Sequence, residues 1–134
     1  MKSKLSSSVV LALNKAAGIA TKYKTSYITP EMLLQGLLSL ERFRSVLSGL
    51  TTGLPEAEKE LAGFVHDHAE PADDDSGRLE MSFQLHQLFE YTDEQVQSAE
   101  AEHVEVPHVV HALFLLEESY AAFWLRRLLP VSGG

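Results

Sequence analysis

The sequence predicts an all-α domain made from two copies of one helical unit, and three observations point there. Apolar residues recur three or four apart along nearly all of the 134 residues, with no sustained alternation of strand type. One polar stretch, AEPADDDSGR at 69–78, combines proline, glycine and three consecutive aspartates. It is too poor in apolar groups to be buried and reads as a solvated connector. The regions on either side of it align without a gap at an offset of 76 positions, Ser6 with Ser82. Val9 then meets Leu85, Leu13 Phe89, Ala20 Val96, Ile28 Val104, Leu33 Val109, Leu37 Leu113 and Glu41 Glu117. Identity is low but polarity is kept. A period this long lies outside the solenoid range and indicates a duplicated unit closed on its twin.

Periodicity places helices at about 6–24, 30–39, 41–49, 55–67, 82–101, 107–116 and 118–129, and leaves no segment for a strand. The opening MKSKLSSSVVLALNKAAG imitates a secretory leader, but its apolar run ends at Leu13, before Asn14 and Lys15. Leu5, Val9, Leu13, Ala16 and Ala20 share a helix face, so this is the first helix, capped within Ser6–Ser8. In YITPEMLLQGLLSL, residues 27–40, Thr29 caps, Pro30 supplies a first-turn φ, and Glu31 suits the helix dipole. Leu33, Leu34, Leu37 and Leu38 form its apolar stripe. After Leu129 the chain reads PVSGG where the first copy has PEAEKELAGFVHDH, so the last helix of the second copy is missing. The expected organisation is a single domain over 1–134, with repeat one at about 1–68, connector 69–80, repeat two 81–129 and tail 130–134.

Composition narrows the function. With 19 acidic against 11 basic residues the formal charge is -8, which repels a phosphate backbone and excludes nucleic acid as partner. The absence of cysteine removes disulfides and thiolate chemistry and suits a reducing cytoplasm. No apolar stretch approaches the roughly 20 residues of a membrane span. There is no G-x-x-x-x-G-K-[ST] run, no G-x-S-x-G around the serines and no H-E-x-x-H. His66 and His68 flank Asp67, and His108 and His111 are three apart, but neither group makes up a zinc ligand set. Glu117 and Glu118 are adjacent, about 100° apart on a helix, and cannot face each other as an acid–base pair. Asp73, Asp74 and Asp75 lack the spacing of a calcium loop. No enzyme activity, metal or cofactor is expected.

The candidate partner-binding residues are Glu31, Tyr27, Thr29, Tyr120 and Trp124. Tyr120 and Trp124 have two readings, core packing or an apolar surface for a partner. Glu31 also has two, a charge that starts its helix or one that meets a partner. If it meets a partner, Glu31→Lys abolishes capture while stability falls by less than about 1 kcal/mol, the size of a helix-dipole effect.

The stretch ITPEMLLQGLLSL is similar to the IGTEHLLLGLL pattern of the Clp N-terminal domain, the accessory domain of Clp-type AAA+ unfoldases. SFQLHQLFEYTDEQVQSAEAEHVEVPHVVHALF, followed by EESYAAFWLRR, resembles that family's second repeat, nearest the ClpA and ClpC types. The resemblance runs from Ser6 to Arg127. It implies two four-helix repeats related by a pseudo-twofold, with no chemistry of their own. It also implies a cytoplasmic domain, tethered in cis to an ATPase ring beyond Gly134, that receives protein substrates or an adaptor protein. By the same resemblance Phe123 aligns with a core aromatic. The family's Thr-Glu-His triplet becomes Pro30-Glu31-Met32 in repeat one and Val106-Pro107-His108 in repeat two. Paired glutamates that read phosphorylated arginine in some ClpC-type members are thus reduced to Glu31 alone, and Glu31 alone matches the acidic adaptor contacts of ClpA-type domains. Two alternatives share the fold: the sheath-peptide-binding domain of a ClpV-type secretion ATPase, and a free-standing helical regulator without an ATPase.

Overall fold

The computed structural model describes residues 3–73 and 77–129. Asp74, Asp75 and the tail 130–134, to which the sequence assigned solvated and linker roles, lie outside the described residues. The elements run β1 Lys4–Leu5, α1 Ser7–Lys22, β2 Tyr27–Ile28, α2 Pro30–Leu38, α3 Glu41–Leu50, α4 Leu54–His68, β3 Glu80–Met81, α5 Phe83–Ser98, β4 His103–Val104, α6 Val106–Leu115 and α7 Tyr120–Leu128. Among the described residues repeat one thus supplies four helices and repeat two supplies three.

Local chemistry sets the boundaries the same way in both repeats. The Ser6 hydroxyl accepts the Val9 N–H at 3.3 Å and the Ser82 hydroxyl accepts that of Leu85 at 3.2 Å, capping two helices of 16 residues each. Both helices end with a left-handed residue, Lys24 at φ 58° and Glu100 at φ 54°. The Thr25 N–H then reaches the Ala20 carbonyl at 3.0 Å and the Ala101 N–H that of Val96 at 2.9 Å, closing a Schellman turn. This turn stops α5 at Ser98, short of the predicted 101, because a left-handed residue cannot continue the helix. The connector is pinned at its near end, where Thr25 bridges to Pro71 and the Ala72 N–H donates to the Lys24 carbonyl at 2.7 Å.

The strands are a departure from the sequence reading. β1 pairs in parallel with β4, Lys4 opposite His103, and β2 with β3, Tyr27 opposite Glu80. Each strand that precedes the first helix of one repeat therefore pairs with the strand that precedes the second helix of the other. The ladders extend alike, the Ser6 N–H donating to Val104 and the Ser82 N–H to Ile28, both at 2.9 Å. This crosswise pairing is the pseudo-twofold written in hydrogen bonds. Two-residue strands carry no alternation to read, and their partners lie far apart in sequence, so periodicity cannot show them.

The core forms where α1 and α2 cross. Ala12, Ala16 and Ala20 are fully buried and present a groove of small residues, into which Gly36 of α2 fits so closely that a Cβ there would sit 2.1 Å from the Ala12 carbonyl oxygen. Leu33, Leu34 and Leu37 are wholly buried around this contact. The twin positions in repeat two carry Leu88, Thr92, Val96 and Ala112, all buried but larger. Repeat one is therefore built on backbone approach and repeat two on side-chain packing.

Gly36→Ala is expected to destabilise the domain by about 3 kcal/mol or more, because the atom it meets is backbone and α1 must move. Lys24→Gly has the opposite sign: relief of the left-handed strain, less glycine's extra chain entropy, should stabilise by about 0.5–1 kcal/mol. Urea unfolding of the two variants checks both.

Candidate functional site

Glu31 enters α2 in its first turn and is only 6% exposed. Its carboxylate does not face solvent. Oε2 accepts the backbone N–H of Ala121 at 2.9 Å, at the start of α7 in the other repeat. There Ser119, the N-cap, accepts the Ala122 N–H at 3.1 Å, so two side chains from two repeats satisfy the open amides of one helix. Burial holds the Glu31 pKa above its ordinary 4.5, against the opposing pull of the Ala121 and Glu31 N–H groups and the nearby His68. Beside the two readings of Glu31, a charge that starts its helix or one that meets a partner, the structure adds a third role: the carboxylate lies inside the domain and joins the repeats.

The exposed apolar groups lie next to it. Tyr27 on β2 is 52% exposed, and Phe83, the first residue of α5, is 82% exposed. The β2–β3 pairing brings them to one groove of about 390 Å³, which Thr29, Ser82, His68 and Glu70 also line. Its hydroxyls are committed to the backbone: Thr29 accepts the Met32 N–H at 3.3 Å, and Ser82 caps α5. From His68 an aromatic row runs outward. The His68 ring stacks on Phe64 at 4.0 Å, Phe64 on Tyr120 at 4.0 Å, and Tyr120 meets Phe123 at 5.7 Å, with the Arg127 guanidinium over Phe123. Groove and row form one apolar surface with an acidic edge at Glu70. Desolvation, with the nearby Glu60 carboxylate, raises the Tyr120 pKa above 10.0, so the phenol stays neutral.

The profile of the Clp repeat (R) N-terminal domain family matches residues 4–128. The chain belongs to the Clp N-domain family. Similar solved structures share the fold. They include the N-terminal domain of ClpV1 from an enteroaggregative E. coli type VI secretion system (TM-score 0.71, 20% identity, 96% of this chain and 78% of that one). The N-terminal domain of the Arabidopsis thaliana caseinolytic-protease-associated chaperone ClpD gives 0.68 at 18% identity, covering 93% and 87%. That of Candida albicans Hsp104 gives 0.70 at 15% identity, covering 93% and 81%. No curated protein matches the chain significantly.

In this Clp N-domain the five sequence candidates divide. Tyr27, Thr29 and Tyr120 reach the apolar surface. Trp124 does not: it is 1% exposed, and its indole N–H donates to the Ala57 carbonyl of α4 at 2.6 Å. The aromatic that α7 leaves open is Phe123, 49% exposed, which the resemblance placed in the core. One helical step separates them, and α4 takes up the Trp124 face. Phe83 was missed; its sequence signal is an aromatic in the first turn of α5, off the buried stripe of Leu85, Leu88 and Phe89. The histidines are dispersed: His66 pairs with Asp67, His108 accepts the Glu105 N–H at 2.9 Å, and His111 is exposed. Among the described residues no group of three or more His, Cys, Asp or Glu could hold a metal ion, and no helix is long and apolar enough to cross a membrane.

Burial changes the expectation for Glu31. A lysine there places a cation at a buried helix N-terminus and leaves the Ala121 N–H unpaired, so Glu31→Lys should cost about 3 kcal/mol or more in urea unfolding, well above a surface dipole effect. The pH dependence has a definite sign. The folded state holds the Glu31 proton more tightly than the unfolded chain, so this contribution to stability is full below pH 4.5 and is lost as pH rises through the raised folded pKa. Comparing unfolding of the wild type and Glu31→Gln from pH 4 upward should show the wild type losing ground to the variant across that window.

Proposed function

We propose that this chain is the N-terminal docking domain of a Clp-type ATP-dependent unfoldase, a non-catalytic cytoplasmic module that presents protein substrates or an adaptor to an ATPase ring in cis. The observation that carries this reading is the pairing of exposed Tyr27 and Phe83 across one groove that leads into the Phe64–Tyr120–Phe123 row. Aromatic side chains exposed to this degree cost free energy in water and gain it against the apolar residues of an unfolded segment. The net charge of -8 draws segments that also carry lysine, arginine or a free amino terminus. The helix-capping roles of the Thr29 and Ser82 hydroxyls in the groove support a non-catalytic reading. Weak capture suffices, because tethering beside a ring gives a high effective concentration. A ClpV-type role, in which the captured segment is a sheath peptide, uses the same surface and differs in the partner; the likeness to the ClpV1 domain supports it at the level of the fold. A free-standing regulator would use the surface without a ring.

Reduced and alkylated hen lysozyme, basic and permanently unfolded, is a suitable probe. The domain should bind it reversibly and more weakly as salt is raised, and Tyr27→Ala with Phe83→Ala should lower affinity about tenfold or more without changing the melting temperature, since both side chains are exposed. Equal binding by the double variant would remove this surface from the proposal.

A further inference from the structure

Charge is unevenly divided along the chain. Residues 1–30 contain five lysines and no acidic residue, whereas residues 31–134 hold all 19 acidic residues against six basic ones. Two of the five lysines, Lys15 and Lys22, stand exposed on α1, and neither takes part in an ion pair among the described residues. The Lys22 ammonium lies 5.4 Å from the centroid of the Tyr23 ring, a contact that leaves its positive charge in place. Exposed charges more than about 8 Å apart are largely screened at physiological salt, so a ligand touching α1 meets these lysines ahead of the net charge of the domain.

The same face carries apolar groups that the core does not use. Leu11 is 60% exposed and Val10 40%. Leu11 lies about 140° around the helix from buried Ala16 and about 180° from buried Ala20, so it points away from the packed stripe. Leu11, Lys15, Gly18 and Lys22 fall within about 60° of one another and make one row along α1. Gly18 keeps that row low, since a Cβ built there meets nothing within 4 Å. The fold does not demand this composition. On the twin helix α5, which has the same length and the same serine cap, the positions of Val10, Leu11 and Gly18 are His86, Gln87 and Glu94. An apolar pair beside two lysines, on a helix whose twin does without either, marks a surface for an outside group.

We propose that the outer face of α1 binds an acidic segment of a partner protein, whose aliphatic side chain packs on Leu11 and Val10 while its carboxylates meet Lys15 and Lys22. Gly18, between the two lysines, admits the backbone of the segment. The lysines are seven residues apart, about 10 Å along the axis at 1.5 Å per residue, so carboxylates two helical turns apart on the segment match both. A single segment touches α1 alone, whereas a broad anionic bilayer would also meet the acidic remainder of the domain, and this favours protein over lipid. The charge preference is opposite to that of the Tyr27–Phe83 groove, which takes none of its lining from α1, and the inference does not rest on that groove.

The test titrates the chain into a short labelled helical peptide with leucines at helical spacing and glutamates seven residues apart on their flank, read by fluorescence anisotropy. Saturable binding is expected, weaker as salt is raised and about tenfold or more weaker when the glutamates are replaced by glutamine. The same loss is expected from Lys15→Glu with Lys22→Glu, from Leu11→Gln and from Gly18→Gln, all at exposed positions that leave the circular dichroism unchanged. The chain with both lysines reversed should instead bind the peptide whose glutamates have become lysines. Tyr27→Ala with Phe83→Ala should leave binding to α1 unchanged, so the outcome here is read separately from that at the groove. Absence of saturable binding, or binding indifferent to the lysine reversal, overturns the proposal. So does lysine-dependent binding to phosphatidylglycerol–phosphatidylcholine vesicles without binding to the peptide, which assigns the face to a membrane. Sedimentation showing a dimer that the lysine reversal dissolves likewise overturns it, in favour of a second copy of the chain.

Discussion

The contact on which the rest of this domain depends is the approach of α2 to α1 at Gly36. The absence of a Cβ, facing a groove of three alanines, lets two helix backbones meet, and this fixes the direction in which α2 leaves β2. That direction carries Thr29 and Tyr27 to the edge of the repeat and sends Glu31 inward to the start of α7. A wider spacing would lose the reach from Glu31 to Ala121, since a 2.9 Å hydrogen bond does not tolerate a shift on the scale of a methyl group.

The link from Glu31 to α7 explains an asymmetry within the duplicated fold. α7 begins with two side-chain acceptors, Glu31 and Ser119. Its twin α3 follows Leu40, an N-cap residue with no side-chain acceptor, and the position that corresponds to Glu31 is Pro107, which has no carboxylate. The better-capped helix is the one that packs through Trp124 onto α4 and supports the aromatic row, while the uncapped α3 keeps Val46 and Leu50 in solvent. One substitution between the copies, glutamate to proline, thus accompanies a division of roles: the third helix of repeat two is capped and packed, and that of repeat one is not.

The same division orders the surface. The crosswise strands, each only two residues long, set the start of α5 beside the strand that leads into α2. This puts Phe83, from repeat two, opposite Tyr27, from repeat one, so the groove is made by the pairing of the repeats. A surface of this origin is polar in its backbone, and its apolar character comes from a few exposed aromatic groups.

Much of this was written in the local sequence. Helix positions followed from apolar spacing, the capping roles of Ser6 and Thr29 from residue type, and the duplication from the offset that carries Ser6 onto Ser82, because each of these depends on interactions within about a turn of helix or on a pattern repeated along the chain. What the tertiary structure decided is which side of each helix meets another. It turned Trp124 inward and Phe123 outward, buried the carboxylate of Glu31, and brought Phe83 to Tyr27. Those outcomes depend on contacts between residues far apart in the chain, Glu31 with Ala121 and Trp124 with Ala57, and on the path the backbone takes between them. The periodicity of a single helix specifies that it has an apolar face; only the packing of all the helices together specifies what that face touches.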